Sequence, residues 1–311
     1  MNPCAPRASR RATSTDIVRP GTRRSVAVAP RAAGVRYPVR VAGEPESFDY
    51  RLLVGLIFLG FAVAELLTGR LFQRDKTTLK DVIIEIGSGF GLPMLVVPAV
   101  LTASGALTEW LLPDSVGSLA HWPAWAMLLV LLVADDLTQY GWHRLSHSSS
   151  TLYRLHRAHH SAEYLSVRCV YRNNIIYYAL MPGIWLSGVL LHLGFGPVYA
   201  VYFVAKMFVI TGAHSSVPWD EPLARSPKTR WLFVLLAHII STPRTHAAHH
   251  GKHAADGVTH YHGNYGNFLF LWDVVFGTAK FSSTRPVEFG LENVQPQGWF
   301  RELIWPFGRG R

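Results

Sequence analysis

The strongest limit on the fold of this chain is a series of apolar runs as long as a lipid bilayer is thick. Residues 52–72 are nearly uncharged apart from Glu65 and Arg70, residues 82–103 carry one acid, Glu85, and residues 122–133 carry no charge at all. Residues 177–213 are apolar enough for a hairpin of two spans, broken at 194–197. A membrane-crossing helix needs about 20 residues, so these runs predict about four or five transmembrane helices. Mean hydropathy over the 311 residues is positive, +0.16. Together these features predict an all-α integral membrane protein with one polar module, not two water-soluble domains. The two cysteines, Cys4 and Cys169, exclude a disulfide framework and a four-cysteine zinc site.

Residues 1–51 differ in kind: ten Arg, no Lys and four acids among scattered Pro, Gly and Ala. No apolar segment follows the first Arg cluster, so this is not an ordinary secretory signal. It reads as a disordered tail, with an organelle transit segment or a lipid-headgroup contact as the alternatives. Farther along, the connection 70–80 is basic (Arg70, Arg74, Lys76, Lys80), 106–121 has no Lys or Arg, and 144–172 is basic again. The positive-inside rule therefore sends the 70–80 loop and all histidine clusters to the cytoplasm. Strict alternation then places the Arg-rich tail outside, against the same rule, unless the first run only dips into the membrane. The run 87–93, "GSGFGLP", lacks dinucleotide-binding spacing and is assigned to close helix packing.

Eleven of the fifteen histidines fall within 143–160 and 246–262. His143 and His147 are four residues apart, about 40° on a helical face. His156, His159 and His160 repeat the i, i+3, i+4 spacing, and His246, His249 and His250 repeat it again. On helices, each cluster points its imidazoles toward one place. Imidazole is the commonest protein metal ligand. These eight, with His214 as an isolated candidate, are too many for one ion and suit two adjacent ions. Other chemistries lack their residues: there is no Glu between paired histidines for a zinc protease, no Glu-x-x-His pair for a carboxylate di-iron bundle, and no nucleophile elbow beside a candidate triad.

The ordered set HxxxH, HxxHH, a lone His, HxxHH and "NYGNFLFLWDVVFGT" resembles the fatty acid hydroxylase/sterol desaturase superfamily of membrane-bound di-iron enzymes. The resemblance runs over about residues 50–285 and is strongest at 132–278. Within the superfamily, "HRAHHSAEYLSVRCVYRNN" and the wide spacing before "THAAHHG" resemble the alkylglycerol monooxygenase-like bacterial members. The resemblance implies a cytoplasmic, histidine-rich helical cap with His143, His147, His156, His159, His160, His214, His246, His249 and His250 as metal ligands. An Asn that often follows the lone histidine in that family has no counterpart beside His214. The resemblance also implies two iron ions as cofactors, with dioxygen as co-substrate. On this reading residues 52–285 form the hydroxylase-like domain, and residues 286–311, where Trp, Phe, Leu and Ile alternate with Arg, form an interfacial segment.

The expected function is oxygen-dependent hydroxylation or desaturation of a membrane lipid such as a sterol, fatty acyl chain or ether lipid. The setting would be a bacterial inner membrane or a eukaryotic endomembrane. Lipid substrate would enter sideways between the helices. No nucleic-acid partner is expected, because the Arg excess lies in the tail. The chain shows no nicotinamide or iron–sulfur motif, so an external electron-transfer protein and an NAD(P)H-dependent reductase are expected partners. Arg154, Arg157, Arg168 and Arg172 around the second box offer a docking face for an acidic carrier or, equally, a hold on phospholipid headgroups. Asp136, two helical turns before His143, is the expected carboxylate supporting a ligand, with Asn264 and Asp273 as weaker candidates. His253, His260 and His262 are read as solvated, and His238 has no assigned role. The competing reading is a histidine-rich membrane metal-binding or transport protein, whose ligands would sit inside the spans beside acids.

Overall fold

A computed structural model describes residues 49–307; most of the Arg-rich tail, and the last four residues, lie outside it. Among the described residues the structure is helical, with two isolated antiparallel bridges, Ile240–Leu269 and Gly251–Phe289. Three helices are long and apolar enough to cross a membrane: α1 (Tyr50–Leu67), α2 (Leu79–Leu111) and, farther on, Gly196–His214. In the α1 window only 6% of residues are buried, and Leu52, Leu56, Leu59, Leu66 and Leu67 are exposed. An apolar helix left bare on most of its surface is built to face lipid.

Helix α2 shows how the sequence shapes a span. Thr78 and Asp81 close a capping box at its start, satisfying amides that would otherwise lack partners. Pro98 has no N–H and its ring crowds the carbonyl one turn back. The helix relaxes into a π-helical turn over Leu92–Val96, where the amide of Val97 reaches back to the carbonyl of Leu92. The glycine-rich run before it packs only in part as expected. A Cβ on Gly87 would lie 2.8 Å from Leu303, but Gly89 and Gly91 face open space.

Helix α3 covers residues 124–148 and contains a second π-helical turn, Leu132–Leu137. It continues from the apolar run into the first histidine pair, as the spacing predicts. Four helices follow: α4 (Ser150–His160), α5 (Ile175–Ala179), α6 (Pro182–His192) and α7 (Gly196–His214). The α6–α7 break falls at Gly194, whose φ of 109° favours glycine. At 11 residues, α6 rises only about 16 Å, too little to cross alone, so the expected hairpin of two spans holds only one full-length span. Residues Met127, Leu131, Leu190, Phe195, Tyr199 and Tyr202 form the core joining α3, α6 and α7. Inside it, Lys206 of α7 pairs with Asp135 of α3 at 2.7 Å, and Tyr202 donates to the same carboxylate. Charges at this depth persist when they are paired.

Beyond α7 the chain forms the polar cap: α8 (Glu221–Arg225), α9 (Arg230–Ile239), α10 (Pro243–His250), α11 (Leu271–Val275) and α12 (Trp299–Leu303). Helix α12 packs against α2 through buried Leu303 and against the end of α4 through buried Glu302, while Trp299, Phe300 and Trp305 are exposed. Glu302 binds Ser161 at 2.5 Å and lies 3.8 Å from Arg157 and 3.7 Å from Arg172. Glu65, fully buried at the end of α1, accepts from Ser166, Val167, Ser215 and Ser216. One carboxylate thus ties the first span to the segments that follow the second box and His214.

Helices α2 and α6 touch where Gly188 meets Ser104; a Cβ there would lie 2.6 Å from the Ser104 Cβ. Overpacking such a contact costs about 1–3 kcal/mol. Gly188→Ala should lower the melting temperature of the detergent-solubilised protein, read by fluorescence-detected size exclusion. An unchanged melting temperature would refute this tight contact.

Candidate metal centre

The nine histidines singled out in the sequence come together from four helices into two groups. His143, His147, His156, His160 and His249 form one; His159, His214, His246 and His250 form the other. Within each group one ring nitrogen per residue lies within 4.8 Å of every other. The division corrects the expectation that each box points to one place. In α4 the i, i+4 pair His156 and His160 joins the first group, and His159 crosses to the second. In α10 the pair His246 and His250 joins the second, and His249 crosses to the first. Adjacent residues on a helix are rotated by about 100°, so an HxxHH box serves two centres at once.

Backbone carbonyls set the rings. Nδ1 of His143 contacts the carbonyl of Tyr265 at 2.7 Å, and Nδ1 of His249 contacts that of Gly263 at 2.7 Å. Nδ1 of His214 meets the Ile210 carbonyl at 2.8 Å, and Nδ1 of His159 meets the Arg172 carbonyl at 3.2 Å. A carbonyl only accepts, so the proton in these rings sits on Nδ1, and Nε2 presents a lone pair. Yet Nε2 of His143 and Nε2 of His249 are 3.0 Å apart, and Nε2 of His159 and His214 are 3.4 Å apart. Two lone pairs do not attract each other. A cation between them turns each pair into ligands, and the buried Nε2 of His147, which has no hydrogen-bond partner, fits the same demand.

Burial is the main reason the cap histidines stay neutral. It pushes the pKa values of His156, His159, His160, His246, His249 and His250 well below the usual 6.5. Neighbouring imidazoles lower them further. Neutral imidazole is the ligating form, and its affinity for borderline metals makes iron or zinc a chemical fit to this donor set.

The terminal motif explains two of the ring orientations. Asp273, fully buried, accepts from the amides of Tyr265 and Gly266 at 2.9 and 2.6 Å and from Thr278 at 2.6 Å. Asn264, at φ 55°, donates to the carbonyls of Thr245 and Lys280 and accepts from the amide of Lys280 at 2.7 Å. These side chains fold loop 263–266 so that its carbonyls point at His249 and His143. Asn264 and Asp273 therefore act on the site through the backbone.

Asp136 is placed otherwise than expected. Its carboxylate accepts from Trp272 at 2.8 Å and from the amide of Leu269, bracing α3 against the closing loop. The support for His143 is a carbonyl, a group that no side-chain pattern reveals. The second-box arginines also depart from expectation. Arg172 is fully buried and pairs with Asp81 at 2.8 Å, Arg168 faces Glu85 at 3.5 Å, and Arg157 is turned toward Glu302. Only Arg154 remains exposed, because the other three balance acids of α2 and α12. Of the remaining histidines, His253 is held between Glu288 and Glu292, which raise its pKa, and His238 stacks on Phe281. His260 is half-buried, and exposed His262 stands near the mouth of a cavity of ≈420 Å³ whose wall includes His147 and His160. That cavity opens between cap loops, not between the spans.

Residues 128–278 match the model of the fatty acid hydroxylase family. This chain carries a fatty acid hydroxylase domain. It is 29% identical over 191 residues to the ornithine lipid hydroxylase OlsE of Rhizobium tropici, covering 61% of this chain and 53% of that protein. It is 28% identical over 258 residues to the alkylglycerol monooxygenase of Danio rerio, covering 80% of this chain and 50% of that protein. The chain thus spans about half the length of these curated relatives. No solved structure matches it.

Acid should weaken the metal-free fold. The folded pKa values of the cap histidines lie below 6.5, so the unfolded chain binds more protons as pH falls below that value, and stability is lost. Thermal unfolding of the metal-stripped protein should be nearly constant from about pH 8 to 7 and fall steeply below about 6.5. A flat profile down to pH 5 would contradict neutral burial.

Proposed function

We propose that this fatty acid hydroxylase domain is a di-metal, oxygen-dependent lipid hydroxylase with iron in both histidine groups. The observation that carries the reading is the opposition of lone pairs, His143 to His249 and His159 to His214. The names of both relatives, a lipid hydroxylase and a monooxygenase, support the reaction class. Five histidines would hold one ion and four the other. Iron bound there would supply dioxygen activation and oxidation of an unactivated C–H bond.

The residues of the chain do the rest. The carbonyls of Tyr265, Gly263, Ile210 and Arg172 hold the protons on Nδ1 and keep Nε2 available. The helices around the rings exclude water from nearly all of them. His147 and His160 present the first group to the cavity among the cap loops, where a C–H bond of the substrate would have to come. Inserting one oxygen atom and reducing the other to water takes two electrons and two protons from outside the chain. An external carrier protein and reductase are therefore part of the proposal, as is a cytoplasmic position for the cap. A metal transporter would place ligands near the middle of its spans; here His214 is the final residue of α7, and the other eight lie beyond the three candidate spans.

Purified protein should contain about two irons per chain. His159→Ala or His249→Ala should lower the iron content and reduce product formation below detection. His121→Ala and His192→Ala, outside both groups, should keep most of it. Zinc in place of iron, or product from His159→Ala at the wild-type rate, would overturn the assignment.

Turnover should also need added redox proteins. With iron-replete protein, dioxygen, extracted lipid and NAD(P)H, no hydroxylated lipid should form until a reductase and carrier are supplied, as read by mass spectrometry. Sustained turnover on NAD(P)H alone would mean that the chain holds a redox site of its own.

A further inference from the structure

A second cavity, of ≈530 Å³, lies apart from the one reached by His147. Its wall is built from the outer side of the segments that carry the second histidine group. Arg70 follows the end of α1, Ser216 and Asp220 follow His214, Arg244 stands two residues before His246, and Arg285 comes from the loop after the closing motif. The cavity therefore sits at the end of two candidate spans, the level at which lipid headgroups lie. Its size is ordinary for a small-molecule site.

The cations of the wall, Arg70, Arg244 and Arg285, make no direct ion pair among the described residues, although Arg285 lies near enough to Asp220, Glu65 and Glu221 to feel their charge. Arg70 donates to the carbonyl of Ser216 at 3.0 Å. Arg285 donates to the carbonyls of Ser216 and Ser215 at 3.2 and 3.4 Å. The guanidinium of Arg244 lies 5.0 Å from the centre of the Phe233 ring. Carbonyls and a ring fix these planes, and each guanidinium keeps donors in reserve.

One carboxylate keeps an oxygen without a hydrogen-bond partner, although Arg285 lies near it. Asp220 is 1% exposed. Its Oδ2 accepts from the amide of Arg244 at 3.0 Å, while Oδ1 is buried without a partner. A buried polar atom in that state is destabilising until something donates to it. The other acids on the wall do not compete for the role: Glu221 is held by Arg225 at 2.5 Å, and Asp75 is exposed. A purely anionic ligand would answer the arginines and leave Oδ1 of Asp220 without a donor. A purely cationic one would do the reverse.

We infer that this cavity binds a zwitterionic lipid headgroup, with its anion on Arg70, Arg244 and Arg285 and its primary ammonium on Asp220. The inference rests on the hydroxylase reading only in taking the bound lipid to be the substrate. The anion is a phosphate or a carboxylate, since a guanidinium recognises both through the same fork.

Binding can be read without turnover, on iron-replete full-length protein in detergent, by calorimetry. The probes are dihexanoyl phosphatidylethanolamine and Nα-octanoyl-ornithine, each beside its counterpart acetylated on the free amine. The wild type should bind at least one zwitterion about tenfold or more tightly than its acetylated form, and the tighter probe identifies the anion. Asp220→Asn should erase that preference while leaving the acetylated probes bound as before, and Arg244→Gln should weaken all four. Equal affinity for zwitterion and acetylated probe in the wild type, a comparison that needs no variant, would overturn the inference. So would a preference that survives in Asp220→Asn. Protein lacking iron or hydroxylated product would instead count against the oxygenase reading, whatever its lipid binding.

Discussion

Everything in the cap depends on keeping nine imidazoles neutral and aimed, eight of them buried. A ring nitrogen taken out of water must find a donor, an acceptor or a metal. Here backbone carbonyls take the Nδ1 protons of four rings, and the Nε2 atoms converge. The remaining architecture maintains that arrangement. The first-box helix grows out of an apolar run, His214 ends another, and the third-box helix is held by the Thr242–Thr245 capping box. Loop 263–266, folded by Asn264 and Asp273, supplies two of the four carbonyls.

Two networks of buried charge fasten the cap to the helices beneath it. Glu65 gathers donors from the segments after the second box and after α7. Arg172 joins Asp81 of α2 and Glu302 of α12, while its Nε donates to the carbonyl of Ala158, just before His159. Its own carbonyl faces His159 from the other side. Removing one partner of a buried pair costs more than the pair itself contributes, so these acids and Arg172 act as a unit.

Much of this was legible in the sequence because it is periodic. Apolar length predicted the spans, and the i, i+4 spacing placed His143 with His147 and His246 with His250. The crossing of His159 and His249 between groups was implicit in the same geometry, since residues 100° apart cannot face one point. What the sequence did not reveal is whatever depends on pairing across long separations. The carbonyl behind His143 belongs to residue 265, and a carbonyl has no residue type to recognise. Asp136 lay at the right helical interval, yet Trp272 and Leu269 drew its carboxylate away. The second-box arginines read as a basic surface because their acidic partners, Asp81, Glu85 and Glu302, lie far along the chain. At α6 the composition is apolar enough for a span, but the helix that forms there is short.

The docking of Glu302 beneath the second box has a consequence for how the protein is made. The histidine groups begin at His143 and end at His250, but the carbonyl loop comes from 263–266 and the acid that secures Arg157 and Arg172 comes at 302. During synthesis the spans enter the membrane well before the last of these parts leaves the ribosome. For that interval the loop and the helix that complete the enclosure of the histidines are still missing. On the di-metal reading, the two histidine groups can enclose an ion only once this last helix is made, so the ion available at that stage is the one they would hold.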